Sequence, residues 1–157
     1  MLISLEIRNF LLIKNISIDF ISGFNAFTGE TGAGKSIIID GLKLALGGKN
    51  NSNLNLADGE TSNIKAVFDR DTNINQNLKN LDIQIEDDYL IVERQINHLQ
   101  KSKILLNGQI VSQSIVKRIL INTIEFQENY EQQELFDNKC FLNFIDQLGK
   151  IDLTSIS

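Results

Sequence analysis

Eight residues constrain this chain more than any others: Gly29-Glu30-Thr31-Gly32-Ala33-Gly34-Lys35-Ser36. They fit the pattern G-x-x-x-x-G-K-[ST] in full, and that pattern needs a strand before it and a helix after it. The chemistry explains the spacing. Gly29, Gly32 and Gly34 let the backbone wrap a phosphate closely, in conformations a side chain would block. The loop's N–H groups and the positive end of the following helix then face the anion. Lys35 reaches the terminal phosphates as a compact cation, and Ser36 offers a hydroxyl to Mg²⁺. The sequence-level site is therefore Gly29, Glu30, Thr31, Gly32, Ala33, Gly34, Lys35 and Ser36, with Ser36 as the metal-facing residue and a nucleoside triphosphate as the expected ligand.

The flanks have the right character. Phe24 to Phe27 reads as a short strand running into the loop, after a turn at Ser22-Gly23. From Lys35 to Leu46 apolar residues sit on nearly every side, which predicts a buried helix, and Gly47-Gly48 ends it. Before the loop, alternation predicts strands over Leu2–Arg8 and Ile16–Phe20. After it, Asn50 to Ser62 reads as a loop with a turn at Asp58-Gly59. Strands are expected at Ile64–Phe68, Tyr89–Ile96 and Ser102–Leu106, with turns at Asn97–Lys101 and Asn107-Gly108. A short helix fits around Ile74 to Leu81. Ser112 or Ser114 caps a further helix ending near Leu120. A short strand over Thr123–Phe126 and an amphipathic helix over Leu135–Leu148 complete the reading. No repeat or linker divides the chain, so the fold class is α/β within one domain of 157 residues.

Composition removes several function classes. Lys+Arg is 15 against Asp+Glu 20, a formal net charge of -5, so there is no bulk basic field to hold nucleic acid. One cysteine, Cys140, excludes a disulfide framework within the chain and is read as a buried small hydrophobe. One histidine, His98, argues against a His-based metal site or a Ser-His-Asp triad and is read as exposed. Lys101 and Lys103 flank Ser102 and read as a solvated hairpin tip. No apolar run approaches a membrane span, and the charged N-terminus does not suit a signal peptide, so a cytoplasmic setting is expected. Hydrolysis would also need an acid after an apolar strand. Ile37-Ile38-Ile39-Asp40 has the letters but belongs to the helix, Ile121 to Glu125 is broken by polar residues, and no convincing acid is found.

At this point the chain resembles a known family. Met1 to Phe10 followed by Gly29 to Ser36 is similar to the start of ABC-type ATPases of the SMC and RecN group, and most of all to the RecN family of bacterial DNA double-strand-break repair ATPases. Thr28 to Ile37 with Ile39-Asp40-Gly41-Leu42 resembles that family's phosphate loop and first helix. Leu44 to Lys49 resembles the helix end. Arg94-Gln95-Ile96, Ser102 and Asn107-Gly108 resemble its arginine, serine and Asn-Gly hairpin, and Glu131, Gln133, Leu135, Ile145-Asp146 and Gly149 resemble the stretch after the glutamine loop. The resemblance implies the N-terminal lobe of an ABC/SMC-type head over residues 1–157, with a mixed sheet around the phosphate-loop helix and an antiparallel β portion. It implies ATP and Mg²⁺ as ligands, DNA as a partner, and a bacterial, nucleoid-associated location.

The departures shape what such a chain is expected to do. The glutamine-loop position falls on Asn129 in a gapless reading and on Gln127 after a small shift; both stay open. Leu56-Ala57-Asp58-Gly59 lacks the arginine usually seen nearby. The family's coiled coil and second lobe, which carries the signature motif and the Walker B acid, do not follow here. Leu106 to Gln109 only superficially echoes that signature motif. The chain is therefore expected to bind ATP, to hydrolyse it negligibly alone, and to need the missing C-terminal lobe or a second head. Two other readings stand beside this one. A stand-alone P-loop kinase would need a lid with several arginines, whereas Arg8, Arg70, Arg94 and Arg118 are scattered. A truncated remnant without function is the other.

Overall fold

Six strands, three helices and the turns between them carry residues 1–29, 34–50, 54–121, 123 and 124, which are the residues the computed structural model describes. Alternation does most of the work. Strands β1 (Leu2–Phe10), β2 (Ile13–Asp19), β3 (Thr61–Asp69), β4 (Tyr89–Asn97), β5 (Ser102–Leu106) and β6 (Gln109–Val111) form one sheet in the order β2-β1-β3-β4-β5-β6, and every neighbouring pair is antiparallel. The expected α/β class and antiparallel β portion are thus present. In β3, Ser62, Ile64, Ala66 and Phe68 are buried while their neighbours are not; in β4 the same holds for Leu90, Val92, Arg94 and Ile96. Side chains of one parity line one face, so register fixes which face is the core.

That face is covered by helices. Helix α1 spans Lys35–Ala45, α2 spans Thr72–Asn80 and α3 spans Gln113–Ile119. Leu5, Ile7, Phe10, Ile64, Phe68, Leu90 and Ile96 from the sheet share one apolar core with Leu42, Leu44, Ile74, Leu78, Val116 and Ile119 from the helices. Asp71 caps α2 by accepting from the Ile74 N–H at 2.8 Å. Ser112 caps α3 by accepting from the Ile115 N–H at 3.4 Å, which decides between the two serines. Asn77 Nδ2 donates to the Ile119 carbonyl at 2.9 Å and ties α2 to the end of α3. The β5–β6 turn has φ 44° at Asn107 and 83° at Gly108, the doubly left-handed turn that matches strand twist.

Several expectations need correction. Phe24–Phe27 is not a strand among the described residues. Phe24 is 90% exposed, and the Asn25 side chain instead closes a local turn, accepting from the Ile21 N–H at 3.1 Å and donating to the Ile21 carbonyl at 2.8 Å. An extended apolar run becomes a strand only where a neighbour pairs with it. Helix α1 is not buried all round: its buried residues are Gly41, Leu42, Leu44 and Ala45, and Ile39 is 39% exposed. Strand β2 begins at Ile13 rather than Ile16, and β3 takes in Thr61 and Ser62 from the expected loop. His98 is half-buried rather than exposed and accepts from the Gly59 N–H at 3.4 Å, bracing the Asp58-Gly59 turn. Two strands do end on an acid, β2 on Asp19 and β3 on Asp69, both exposed. Thr123 donates its N–H to the Leu120 carbonyl in a turn; the rest of the expected strand over Thr123–Phe126, apart from Ile124, and the helix over Leu135–Leu148 lie outside the described residues. Met1–Ile124 forms one compact unit.

Candidate nucleotide site

The site is built at the N-terminal end of α1. Gly34 precedes the helix with φ 92° and ψ 3°, a left-handed conformation that costs an L side chain about 1–2 kcal/mol. Space is not the constraint there, because a Cβ on Gly34 would meet nothing within 4 Å. The glycine is needed for the turn of the backbone, and the volume beyond it is open for a ligand. The Ile38 N–H donates to the Gly34 carbonyl at 3.2 Å, which closes the first helical turn. No side-chain cap is made at Gly34 and no acidic residue sits in the first turn, so among the described residues the helix's positive pole is left open.

Lys35 Nζ donates to the carbonyl of Gly29, six residues back. The structure therefore brings the first glycine and the lysine of the motif together across the loop. Ser36 is exposed in the first turn, where its hydroxyl is free to face a metal. These features fit a Mg²⁺-bound polyphosphate. Glu30, Thr31, Gly32 and Ala33 lie outside the described residues, as do Gln127 and Asn129. Asp40, the acid of the false apolar-acid match, is exposed in the middle of α1. Among the described residues no group of three or more His, Cys, Asp or Glu could hold a metal ion by itself.

What holds the helix in place lies at its other end. A Cβ on Gly41 would stand 2.9 Å from Ile7 Cδ1 and 3.7 Å from Phe10 Cδ1, so the missing side chain lets α1 sit directly on β1. A Cβ on Gly48 would stand 2.7 Å from the Lys43 carbonyl oxygen, a backbone clash that only glycine avoids. Gln113 Nε2 donates to the Gly47 carbonyl and joins this end of α1 to the start of α3.

Sequence reasoning missed one feature. Arg94 is 7% exposed and sits on the core face, opposite Ile64 on β3 and Ile104 on β5. Its Nε has no hydrogen-bond partner, and neither does the Oγ of Ser62, which is 0% exposed on the same face. Burial alone pushes the Arg94 guanidinium below its ordinary pKa. The signal was present as one charged residue in the apolar alternation Leu90, Val92, Arg94, Ile96. Lys101 and Lys103 are exposed, as a solvated tip should be.

Comparison with known proteins agrees with the geometry. The AAA domain family matches residues 4–153. The DNA repair protein RecN of Synechocystis sp. is 34% identical over 153 residues, covering 95% of this chain and 26% of that protein. RecN of Vibrio cholerae is 32% identical, covering 98% of this chain and 28% of its own length. The chain thus spans about a quarter of the length of the curated relatives it matches. Among solved structures, a chain from a study of ATP-driven dimerization and DNA-stimulated activation of SMC ATPases superposes with a TM-score of 0.65 at 21% identity, covering 94% of this chain and 98% of that one. The SMC head domain from Thermotoga maritima gives 0.55 at 22% identity, covering 74% of this chain and 40% of its own. Those likenesses establish the fold of an SMC-type head lobe. Among the described residues no helix is long and apolar enough to cross a membrane. With nearly all of its length matched, the chain belongs to the AAA domain family, a family of nucleotide-binding domains.

Proposed function

We propose that residues 1–157 are the N-terminal, ATP-binding lobe of a RecN-like ATPase head acting in bacterial DNA double-strand-break repair and recombination. The observation that carries this reading is the end of α1: Gly34 in the left-handed conformation, Lys35 held over the Gly29 carbonyl and Ser36 exposed beside it. In a chain similar to RecN over most of its length, that arrangement suits ATP with Mg²⁺. Lys35 takes the β- and γ-phosphates, Ser36 takes the metal, and Gly29 to Gly34 wrap the anion. Gln127 or Asn129 serves as the glutamine-loop residue. The remaining catalytic groups come from a C-terminal lobe and a second head, and DNA is engaged by the assembled protein in the cytoplasm.

The lobe alone should bind ATP and hydrolyse it negligibly. Phosphoryl transfer is mostly positioning and charge stabilisation. Each missing electrostatic group is worth on the order of 10²–10³ in rate. Steady-state phosphate release from the purified chain, repeated after addition of a separately expressed RecN-like C-terminal lobe, tests this. Turnover is expected only in the mixture. Robust, Lys35-dependent turnover by residues 1–157 alone would overturn the half-site reading in favour of a self-contained kinase or NTPase.

A further inference from the structure

A groove of about 510 Å³ lies away from the phosphate loop, between the segment before β4 and the pair β6 and α3. Ile83, Ile85, Val111 and Ile115 line it, half-buried, and Glu86 and Asp87 line it, exposed. The segment 83–86 belongs to no strand, yet its exposure alternates as a strand's would, with Ile83 and Ile85 turned in and Gln84 and Glu86 turned out. Arg70 Nη1 donates to the carbonyls of Ile85 at 2.8 Å and Asp87 at 2.6 Å. Carbonyls two residues apart in an extended chain share a side, so those of Gln84 and Glu86 face the opposite way. Among the described residues the peptide groups of Gln84 and Glu86 hydrogen-bond to nothing. Across the groove β6 is the last strand of the sheet and only three residues long.

We propose that this groove receives an extended polypeptide segment from a partner, one that alternates apolar and basic residues and pairs its backbone with Gln84–Glu86. Each part of the recognition falls to particular residues. The free peptide groups of Gln84 and Glu86 supply main-chain hydrogen bonds, the usual source of affinity in strand addition. The isoleucines and Val111 take the partner's apolar side chains. Charge sets the choice of the other side chains. Asp82, Glu86, Asp87 and Asp88 fall within seven residues that contain no Lys or Arg. The groove's lining holds no cation either. Lysine or arginine is therefore favoured at the outward positions, and an acidic peptide is repelled.

The test uses the whole 157-residue chain and a fluorescent, end-capped heptapeptide of alternating lysine and valine, read by anisotropy. The Lys–Val peptide is expected to bind at least tenfold more tightly than its Glu–Val counterpart. Methylating the backbone nitrogens along one edge of the Lys–Val peptide should remove binding. Glu86→Lys with Asp88→Lys should reverse the charge preference, and both side chains are exposed and hydrogen-bond to nothing among the described residues, whereas Asp87 is left in place because its carboxylate accepts from Asn107 Nδ2 at 2.8 Å. Reversing the same number of charges at Asp19 and Asp58 should leave that preference unchanged. Val111→Asp should weaken binding at least tenfold, while Ile110→Asp, one residue away on the opposite face of β6, should not. Failure of the Lys–Val peptide to bind overturns the proposal. So does equal loss from the Asp19 and Asp58 control, because attraction would then come from net charge, and so does insensitivity to backbone methylation.

Discussion

The two halves of α1 are built on opposite principles. From Gly41 to Ala45 the helix, and the turn that ends it at Gly47 and Gly48, are fixed by contact: Gly41 against Ile7, Gly48 under the Lys43 carbonyl, Gly47 bonded to Gln113, and Leu42, Leu44 and Ala45 buried. From Lys35 to Asp40 it has half-buried Ile37 and Ile38, an exposed Ser36, Ile39 and Asp40, and one lysine bonded back to the loop. The first half touches the proposed ligand and the second touches the protein. A helix end that must present N–H groups, a cation and a hydroxyl to a phosphate cannot also cover them. Its position has to come from the far end, through a rigid rod a few turns long. Stability and binding should therefore separate cleanly along one helix.

The strongest way to break that separation is Gly41→Val. A branched side chain there meets Ile7 at 2.9 Å from its first atom, and overpacking of this kind should cost about 3 kcal/mol. A fall in Tm of roughly 8 °C by calorimetry is expected; an unchanged Tm would mean the anchoring half does not hold the helix. Lys35→Ala probes the other half. Its stability should stay within about 0.5 kcal/mol, as for surface substitutions generally. ATP affinity by titration calorimetry should fall on the order of 10- to 100-fold, the worth of a charge-assisted hydrogen bond, and ADP affinity by less. Equal binding of both nucleotides by wild type and variant would remove the phosphate-loop assignment. Ser36→Ala should lower affinity about tenfold with Mg²⁺ and little without it; equal losses would indicate damage to the helix start instead. The smallest effect is expected at Arg94→Met, a gain of about 1 kcal/mol from removing an unpaired buried charge. A lower melting temperature for that variant would show that the guanidinium supports the core through an acceptor.

Much of this was legible in the residues, and the failures share a cause. The phosphate loop's glycines, lysine and serine are a local chemical requirement, so their spacing is readable by itself. The strands from Ile64 to Leu106 are readable because one face is buried and the period of two is written into Ile64, Ala66 and Phe68. Phe24–Phe27 carries the same apolar content and forms no strand, since a strand needs a neighbour and no local pattern says who the neighbour is. Ile39 reads as core for the same reason and is 39% exposed, while Ile37 and Ile38 beside it do pack against the core: apolar residues report what they prefer, not what lies next to them. His98 was unreadable because its role depends on a partner far away in the chain, Gly59, whereas the burial of Arg94 was written into its parity with Leu90, Val92 and Ile96.

The sheet's connectivity has a kinetic consequence. Strands β3 to β6 follow one another as a meander and β1 pairs with β2 across a short turn, so nearly all strand pairs are neighbours in sequence. The exception is β1 with β3, which sets Arg8 opposite Asn63 and Ile7 opposite Ile64. That pairing closes one long loop, and the loop contains the whole phosphate-binding segment and α1. Local hairpins close quickly, whereas long-range pairing must first overcome loop entropy. The β1–β3 seam is thus expected to be the slow step of the sheet's assembly, after the β1–β2 hairpin inside the loop has closed. Because closure entropy rises only slowly with loop length, insertions between β2 and β3 are cheap in stability. Such a loop can be remodelled around its ligand while the meander that carries it stays the same.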